Sequence, residues 1–396
     1  DYCTSSAAQA FEDLVSHIKA KYILLSYNNM ATKGNDRSNA KISDADIMRI
    51  LSRKGRVKVF SESYRAFSAG KSNITGNEER LFLCECYDYK QKELIQSPLN
   101  YTGGKYKLLP QILPHFPQDI DRFVDLFCGG GNVGINVPCN RVIFNDNNEL
   151  LRYMFGTFKN LDKQVTFETI DAIIEKYGLS NTEKYGYDFY GCNSAEGLAS
   201  YNSSRYLKLR DDFNHHTNLE YNYYVTLYVL IVYAFNNQIR FNRKGEFNLP
   251  VGKRDFNKKM REKLSTFIDR LKSGDYSFAS HDFRELPTDD WNENTFVYAD
   301  PPYLITCATY NEQDGWNETL EKELLTYLDN LNERGIRFAL SNVLHSKGKE
   351  NKILLDWIDR NVDRYRVIYL DYNYANSNYQ TKDKTSKAEE VLIVNY

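Results

Sequence analysis

A chain of 396 residues, with 42% hydrophobic and 26% charged residues, has the size and composition of a globular protein of two or three domains. The net charge of −2 argues against a wholly basic nucleic-acid coat protein but is compatible with a local basic surface. No apolar run reaches the length of a membrane span, and seven irregularly spaced cysteines without a CxxC pair favour reduced thiols over disulfides or a zinc site. We therefore expect a cytoplasmic protein that uses neither a membrane nor a metal.

From residue 95 onward, short apolar runs separated by longer segments predict a parallel sheet. The first apolar-periodic segment is Leu108–Leu113. The predicted strands are Arg122–Phe127, Arg141–Phe144, Ser277–Ser280, Thr295–Ala299, Arg337–Leu340 and Val391–Val394. The predicted helices are Lys163–Tyr177, Tyr221–Phe235 and Leu320–Arg334. Strands joined by crossover segments predict an α/β fold with a sheet of at least six strands.

The two ends of the chain carry an internal repeat. The matching pairs are Lys21–Asn29 with Arg337–His345, Glu78–Tyr87 with Ala388–Tyr396, and the strand-plus-polar stretches Val57–Gly76 with Val367–Ser386. The repeat predicts that residues 1–90 are the last third of a second copy of the same domain, within a longer tandem protein. A chance likeness between two strand–loop–strand segments is the alternative.

A glycine loop, Gly129–Gly134, follows the first predicted strand directly. Glycines let the backbone turn tightly and approach a ligand closely. Asp146 stands at the end of the next strand, where a carboxylate can hold a pair of ribose hydroxyls. By itself the loop suits a dinucleotide equally well, or is only a tight strand-to-helix turn.

The tetrapeptide Asp300-Pro301-Pro302-Tyr303 follows the apolar strand that ends at Ala299. Two consecutive prolines fix the backbone and leave carbonyl groups free to accept hydrogen bonds. A carboxylate and rigid carbonyls can hold both hydrogens of an exocyclic amine, while the tyrosine stacks on the attached base. Because this geometry favours attack of the amine on a methyl sulfonium, the motif predicts amine methylation at the carboxyl edge of the sheet. A plain turn is the alternative.

Residues 237–263 form a basic segment, with nine Lys/Arg against three Asp/Glu on a chain that is slightly acidic. Gln238–Asn242, a turn at Lys244-Gly245, and Glu246–Leu249 predict a β-hairpin. Cations can neutralise phosphates, while Arg and Asn can read base edges. The candidate DNA-binding residues are Arg240, Asn242, Arg243, Lys244, Lys253 and Arg254. A solvated charged surface is the alternative.

Together these motifs resemble the Dam-type (D12 class) adenine-N6 DNA methyltransferases over roughly residues 96–396. The motifs that carry the resemblance are Tyr101-Thr102-Gly103-Gly104-Lys105, Phe123–Gly131, Asp146 and Asp300–Tyr303, in the family's order. Residues 238–253 are similar to the family's DNA-recognition hairpin. His281-Asp282-Phe283 is similar to the segment that flanks the cofactor adenine.

The resemblance implies a Rossmann-like S-adenosylmethionine-dependent methyltransferase sheet with an inserted DNA-recognition domain that contains a β-hairpin. The catalytic domain would comprise residues 91–154 and 276–396, and the target-recognition insert residues 155–275. Residues 1–90 resemble the end of a first unit in tandem type II modification enzymes of the FokI type. That first unit lacks a glycine loop and a DPPY motif here and should be inert.

The activity implied by the family is transfer of methyl from S-adenosylmethionine to N6 of an adenine flipped out of double-stranded DNA. Such an enzyme protects bacterial host DNA in a restriction-modification system, where the cognate endonuclease shares the site but need not bind. The implied catalytic residues are Asp300, Pro301, Pro302 and Tyr303. The implied cofactor-binding residues are Tyr101 (in place of a family tryptophan), Lys105, Asp125, Phe127, Gly129, Gly131, Asp146, Asp282, Phe283 and Asp300.

Three other readings stay open at the level of sequence. The DPPY motif also suits methylation of cytosine N4, of adenine in RNA, or of a protein glutamine. The glycine loop also suits a nucleotide-dependent oxidoreductase, although that enzyme has no use for DPPY or a basic segment. A DNA-binding protein that keeps a decayed methyltransferase fold is the third reading, and the intact Lys105 and Asp300–Tyr303 argue against it.

Overall fold

The computed structural model describes residues 6–18, 20–28, 42–63, 78–86, 94–101, 103–192, 197–215, 220–306, 315–371 and 388–396. Thr102 of the first motif and the parts of the repeat at residues 64–76 and 372–386 lie outside these ranges. The α-helices are α1 (Ala7–His17), α2 (Asp44–Ser52), α3 (Leu109–Ile112), α4 (Glu149–Asn160), α5 (Lys163–Tyr177), α6 (Thr182–Tyr185), α7 (Ala199–Asn214), α8 (Tyr221–Tyr233), α9 (Lys258–Ser273), α10 (Glu318–Glu333) and α11 (Lys352–Arg360).

The strands are β1 (Tyr22–Asn28), β2 (Gly55–Ser63), β3 (Glu78–Cys86), β4 (Arg122–Asp125), β5 (Arg141–Asn145), β6 (Asp275–Ala279), β7 (Thr295–Ala299), β8 (Arg337–Ser346), β9 (Lys349–Glu350), β10 (Arg366–Leu370) and β11 (Glu389–Val394). Within the described residues they form a large sheet of eight strands and a small sheet of three. The α/β class and the sheet of at least six strands are thereby confirmed.

The large sheet has the order β10-β11-β8-β7-β4-β5-β6, with β9 beside β8. Neighbouring strands along the run β6-β5-β4-β7-β8 pair in parallel. Strand β11 runs antiparallel to both β8 and β10. The chain runs outward from β4 to β5 and β6, and then returns to the other side of β4 with β7. The strand order therefore reverses between β4 and β7, which is where open α/β sheets place their ligand sites.

Burial on both faces explains why β7 is apolar along its whole length. All five residues of Thr295–Ala299 are buried, as expected for a central parallel strand that is covered by helices on both sides. One core lies on each face, and the larger of the two also includes α8. Nine of the thirteen residues of α8 are buried, which accounts for its nearly continuous apolar sequence.

The small sheet has the order β1-β3-β2, with all neighbours antiparallel. Helices α1 and α2 cover one of its faces, and side chains such as Phe11, Ile47 and Phe82 form a separate core there. Arg49 of α2 and Arg53, which directly follows this helix, interact electrostatically with Tyr369 of β10, so this small unit lies beside the antiparallel edge of the large sheet.

The sequence missed several helices and overstated one hairpin. The helices that were not predicted are α1, α2, α4, α6, α7, α9 and α11. The predicted hairpin at 238–249 turns back on itself, but its strands are limited to a single bridge between Phe241 and Phe247. Backbone hydrogen bonds cross the turn on both sides of this bridge, from the Asn242 N–H to the Glu246 carbonyl at 2.9 Å and from the Asn248 N–H to the Arg240 carbonyl at 3.2 Å, so the hairpin is present but shorter than predicted.

Candidate active site

The carboxyl ends of β4, β5 and β6 are tied together by one buried amide. Asn145 ends β5, and its Nδ2 donates to the carbonyl oxygens of Leu126 (3.1 Å) and His281 (3.0 Å). Its Oδ1 accepts the His281 N–H at 3.0 Å. These bonds fix the loops after three neighbouring strands relative to one another, so the side chains on those loops share one site.

The glycine loop needs glycine for two physical reasons. Gly129 and Gly131 have φ angles of 47° and 74°, which side-chain-bearing residues rarely adopt. In addition, a Cβ on Gly129 would lie 2.8 Å from Cδ1 of Tyr101, because the tyrosine ring packs directly on the loop. The loop and Tyr101 therefore form one closely packed wall.

Two buried carboxylates hold the backbone of this loop. Asp146 Oδ2 accepts the Gly129 N–H at 3.0 Å, and Asp125 Oδ2 accepts the Gly134 N–H at 3.0 Å. Burial raises the pKa of Asp146 above its ordinary value and raises the pKa of Asp125 to about 8. Such desolvated acids are typical of functional sites, where they bind a ligand that brings positive charge or hydrogen-bond donors.

Lys105 lies at the centre of a buried polar cluster beside the DPPY motif. Its Nζ is 2.8 Å from Asp300 Oδ1 and 3.6 Å from Glu390 Oε1, and it donates to the Gly103 carbonyl at 2.8 Å. Nζ also lies 4.9 Å from the centre of the Tyr303 ring. Burial alone would lower the pKa of Lys105, but the two carboxylates hold it above its ordinary value.

Tyr303 connects the two acids of this cluster. Its hydroxyl lies 3.0 Å from Asp300 Oδ1 and 3.1 Å from Glu390 Oε1, and its side chain is buried. Burial raises the pKa of the Asp300 carboxyl above its ordinary value in spite of the adjacent Lys105 ammonium. Pro301 is buried and Pro302 is exposed, so the motif sits at the boundary between the core and solvent.

Glu390 is the member of this cluster that the sequence did not identify. It lies on β11, far along the chain from DPPY, and is 1% exposed. The available signal was an acidic residue directly before the apolar run Val391–Val394. Such a position in a buried strand requires a charged partner.

A second group of predicted residues forms an aromatic rim. The ring centres of Phe127 and Phe283 are 5.7 Å apart, and Trp316 stands edge-on to Phe127 at 5.6 Å. The Asp282 carboxylate accepts hydrogen bonds from the Arg284 guanidinium at 2.7 and 2.8 Å, which lowers its pKa. Asp282 therefore already has a strong partner on this rim.

The basic segment lies on the surface, with its turn shaped by Asn242. Asn242 Oδ1 accepts the N–H groups of Lys244 and Glu246, and its Nδ2 donates to Glu246 Oε2 at 2.8 Å. Arg240 is held by Asn248, with Nε 2.8 Å from Oδ1. The remaining candidates are all exposed: Arg243, Lys244, Lys253 and Arg254.

Comparison with known proteins decides which family these features belong to. A family model for D12 class N6 adenine-specific DNA methyltransferases matches residues 101–382, which is most of the chain. The chain belongs to this family.

Three curated modification methylases are similar to this D12 class chain. Modification methylase StsI of Streptococcus sanguinis is 38% identical, with all of this chain and 59% of the relative covered. Type II methyltransferase M.FokI of Planomicrobium okeanokoites is 33% identical with the same coverage. Modification methylase LlaI of Lactococcus lactis subsp. lactis is 31% identical, with 89% and 53% covered. The chain thus spans little more than half the length of these relatives, and the resemblance to type II modification methylases is confirmed.

Most of the predicted D12 site residues lie together, and the rest form two further groups, the aromatic rim and the basic surface. Lys105, Asp300 and Tyr303 are in contact, and Tyr101 with Asp146 encloses the glycine loop. Within the described ranges, no group of three or more His, Cys, Asp or Glu side chains is arranged to hold a metal ion. No helix in that part of the chain is long and apolar enough to cross a membrane.

Proposed function

We propose that this chain is a site-specific DNA methyltransferase that transfers methyl from S-adenosylmethionine to adenine N6. The observation that carries this proposal is the buried cluster of Lys105, Asp300 and Tyr303 at the point where the strand order reverses. Membership of the D12 class supports the same reaction. The reaction of a nucleotide-dependent oxidoreductase would not use this cluster.

The charges of the site suit S-adenosylmethionine. Four acids, Asp125, Asp146, Asp300 and Glu390, are largely buried in this site, and two of them, Asp300 and Glu390, pair with the buried cation Lys105. The surplus of acids favours a ligand that carries positive charge and donors, and the wall of Tyr101 and glycine loop offers a surface for its flat groups. When bound, the cofactor supplies an electrophilic methyl group on a positively charged sulfur.

The residues of the DPPY motif then act on the acceptor amine. Asp300 and the Pro301 carbonyl accept hydrogen bonds from the amine, which aims its lone pair, and Tyr303 packs against the base. Transfer of the methyl group to N6 would leave the C–S bonding pair on sulfur and release one proton from the amine, which the Asp300 carboxylate would accept. Catalysis here consists mainly of positioning. Because the target atom lies inside a duplex, the base must first be flipped out.

We assign DNA contact to residues 155–275, and within them to the basic surface. Arg243, Lys244, Lys253 and Arg254 are exposed, which suits contact with phosphates. Arg240 and Asn242 instead support the turn through Asn248 and Glu246, so they position this surface. Buried residues of α5, α7, α8 and α9 belong to the same core as those of the sheet, which supports a fixed position of the basic surface relative to the active site.

We also propose that residues 1–90 derive from a first methyltransferase unit. The described part has the element order α1-β1-α2-β2-β3. The end of the second unit has the order α10-β8-β9-α11-β10-β11, which adds the two-residue β9 and has the same pairing among its three longer strands. In each sheet, the residue two positions after the matched serine (Ser26 or Ser341) pairs with an acid on the neighbouring strand. That acid is Glu79 in the small sheet and Glu390 in the large sheet. A chance likeness would not reproduce strand order and register together.

The proposed role of the longer protein is the modification step of a bacterial restriction-modification system in the cytoplasm. The chain's similarity to the three modification methylases supports this role. The cognate endonuclease would share the recognition sequence without a need to bind this chain.

The test is transfer of labelled methyl from S-adenosylmethionine to unmethylated duplex DNA, followed by identification of the modified base. We expect label in N6-methyladenine, its loss in Asp300→Ala, and its retention in the matched variant Asp289→Ala, which alters an exposed acid. Label in 4-methylcytosine, or transfer to RNA only, would redirect the proposal to another amine. A folded chain that binds the cofactor and methylates no nucleic acid would refute it.

A further inference from the structure

Glu390 is a buried acid that the reaction described above does not use. It is 1% exposed on β11, opposite Val343 of β8. Its Oε1 lies 3.1 Å from the Tyr303 hydroxyl and 3.6 Å from Lys105 Nζ. Glu390 thus contacts both residues that surround Asp300 without belonging to the DPPY motif.

A structural ion pair alone does not account for two acids around one lysine. Lys105 already has Asp300 at 2.8 Å, and a second buried carboxylate adds a large desolvation cost and like-charge repulsion. With Lys105, Asp300 and Glu390 ionised, the cluster carries a net charge of −1. A second carboxylate beside an already paired lysine suits a site that receives a positively charged ligand.

The contacts of Asp300 point to a second role for Glu390. Lys105 and Tyr303 both approach Oδ1 of Asp300, while Oδ2 makes no hydrogen bond to any residue that the structure describes. By sharing the Lys105 ammonium and the Tyr303 hydroxyl, Glu390 prevents them from occupying both oxygens of Asp300. One oxygen then stays available for the substrate amine.

We propose that Glu390 is a positioning residue of the methyl-transfer site. It anchors Lys105 and Tyr303 so that Asp300 Oδ2 faces the amine, and its charge favours the sulfonium cofactor over the uncharged thioether product. This inference rests on the function proposed above. It extends the site from the DPPY motif to the last strand of the sheet.

The neighbouring residue provides a matched control. Glu389 precedes Glu390 on the same strand, but its Oε2 pairs with the exposed His345 at 2.8 Å, away from Lys105. Glu389→Gln and Glu390→Gln remove the same charge from adjacent positions. A difference in cofactor binding between the two variants therefore depends on where the charge lies in the site. It does not arise from the replacement of glutamate by glutamine as such.

The experiment measures the dissociation constants of S-adenosylmethionine and S-adenosylhomocysteine by calorimetry on the full chain, without DNA. We expect Glu390→Gln to reduce the preference for the sulfonium form by on the order of 10- to 100-fold, because one nearby charge is lost at low dielectric. Glu390→Asp keeps the charge and should keep most of the preference. Glu389→Gln should match the unaltered protein.

Steady-state kinetics supply the second readout. Glu390→Gln should lower kcat while leaving the KM for DNA unchanged, because the basic surface is intact. An unchanged cofactor preference in a folded Glu390→Gln protein would overturn the inference. If Glu390→Gln does not fold, Glu390→Asp provides the test. Loss of the cofactor preference in Glu390→Asp, which keeps the charge, would show that the charge is not the origin of the preference. If the unaltered chain binds both cofactor forms yet methylates no DNA, the proposed function fails while these constants still judge Glu390.

Discussion

Lys105→Met is the substitution with the clearest expected magnitude. It removes the one cation from a cluster in which Asp300 and Glu390 are held 2.8 and 3.6 Å from Nζ. Removing one partner of a buried ion pair costs about 3–5 kcal/mol, because the remaining charge is uncompensated. With an unfolding entropy of roughly 2.1 cal/mol/K per residue over 396 residues, Tm should fall by about 4–6 °C.

The loss should depend on pH in a defined direction. Lys105 lowers the pKa of Asp300, so without it that pKa rises further above the value in the unfolded chain. An acid whose pKa is higher in the folded protein than in the unfolded chain stabilises the folded protein at pH values below the unfolded-state pKa. This stabilisation is lost as the pH rises through the folded-state pKa. The Tm deficit of Lys105→Met should therefore be small near pH 5 and larger at pH 8.

Thermal unfolding across this pH range checks the argument, with Lys107→Met as the control. Lys107 is two residues away and exposed, so its replacement should leave Tm nearly unchanged at every pH. A Lys105→Met deficit that is constant with pH, or no larger than that of Lys107→Met, would refute the assignment of a charged lysine between two carboxylates.

Two further substitutions test the glycine loop and the basic surface. Gly129→Ala should lower Tm and weaken cofactor binding, because its Cβ would come within 2.8 Å of the tyrosine ring that packs on the loop. Gly103→Ala shares the left-handed backbone without the clash, so calorimetry on both variants separates the two effects. Replacing Arg243 and Lys244 by alanine should weaken duplex binding and reduce the salt slope by about 1–2. Anisotropy titrations over several salt concentrations would show this, and the same result for exposed Lys322→Ala would count against a dedicated DNA surface.

The sequence predicted those site residues that belong to the ends of parallel strands. Asp300 and Asp146 directly follow apolar strands, and the carboxyl ends of parallel strands meet at one edge of a sheet. Helix α9 was missed because its charged residues dominated the interpretation of the basic segment. Its apolar residues nevertheless recur at helical spacing, and Leu264, Phe267 and Leu271 are buried.

Glu390 was missed for a different reason. Its role depends on contact with residues almost ninety and almost three hundred positions earlier in the chain. No local pattern records such a contact. What the sequence does record is a carboxylate at the start of an apolar strand, and burial there obliges the fold to supply a partner such as Lys105. Lys105 was predicted independently, from its motif, but its pairing with Glu390 was not predicted.

The two sheets show how one strand arrangement can be buried in one place and exposed in another. With Ser26 matched to Ser341, Leu24 corresponds to Ala339 and Phe60 to Ile368. Ala339 and Ile368 are 0% and 3% exposed, because they share a core with the segment around α3. Leu24 and Phe60 are 61% and 54% exposed.

This contrast has a direct physical consequence. Burying a leucine or phenylalanine side chain is worth about 1.5–3 kcal/mol, so adjacent large apolar side chains left in water are a clear loss of stability. Helices α1 and α2 cover only the other face of the small sheet. The exposed face carries Leu24, Phe60 and Leu81 together with charged residues such as Lys58 and Glu85, whereas the matched positions Ala339 and Ile368 of the large sheet are buried.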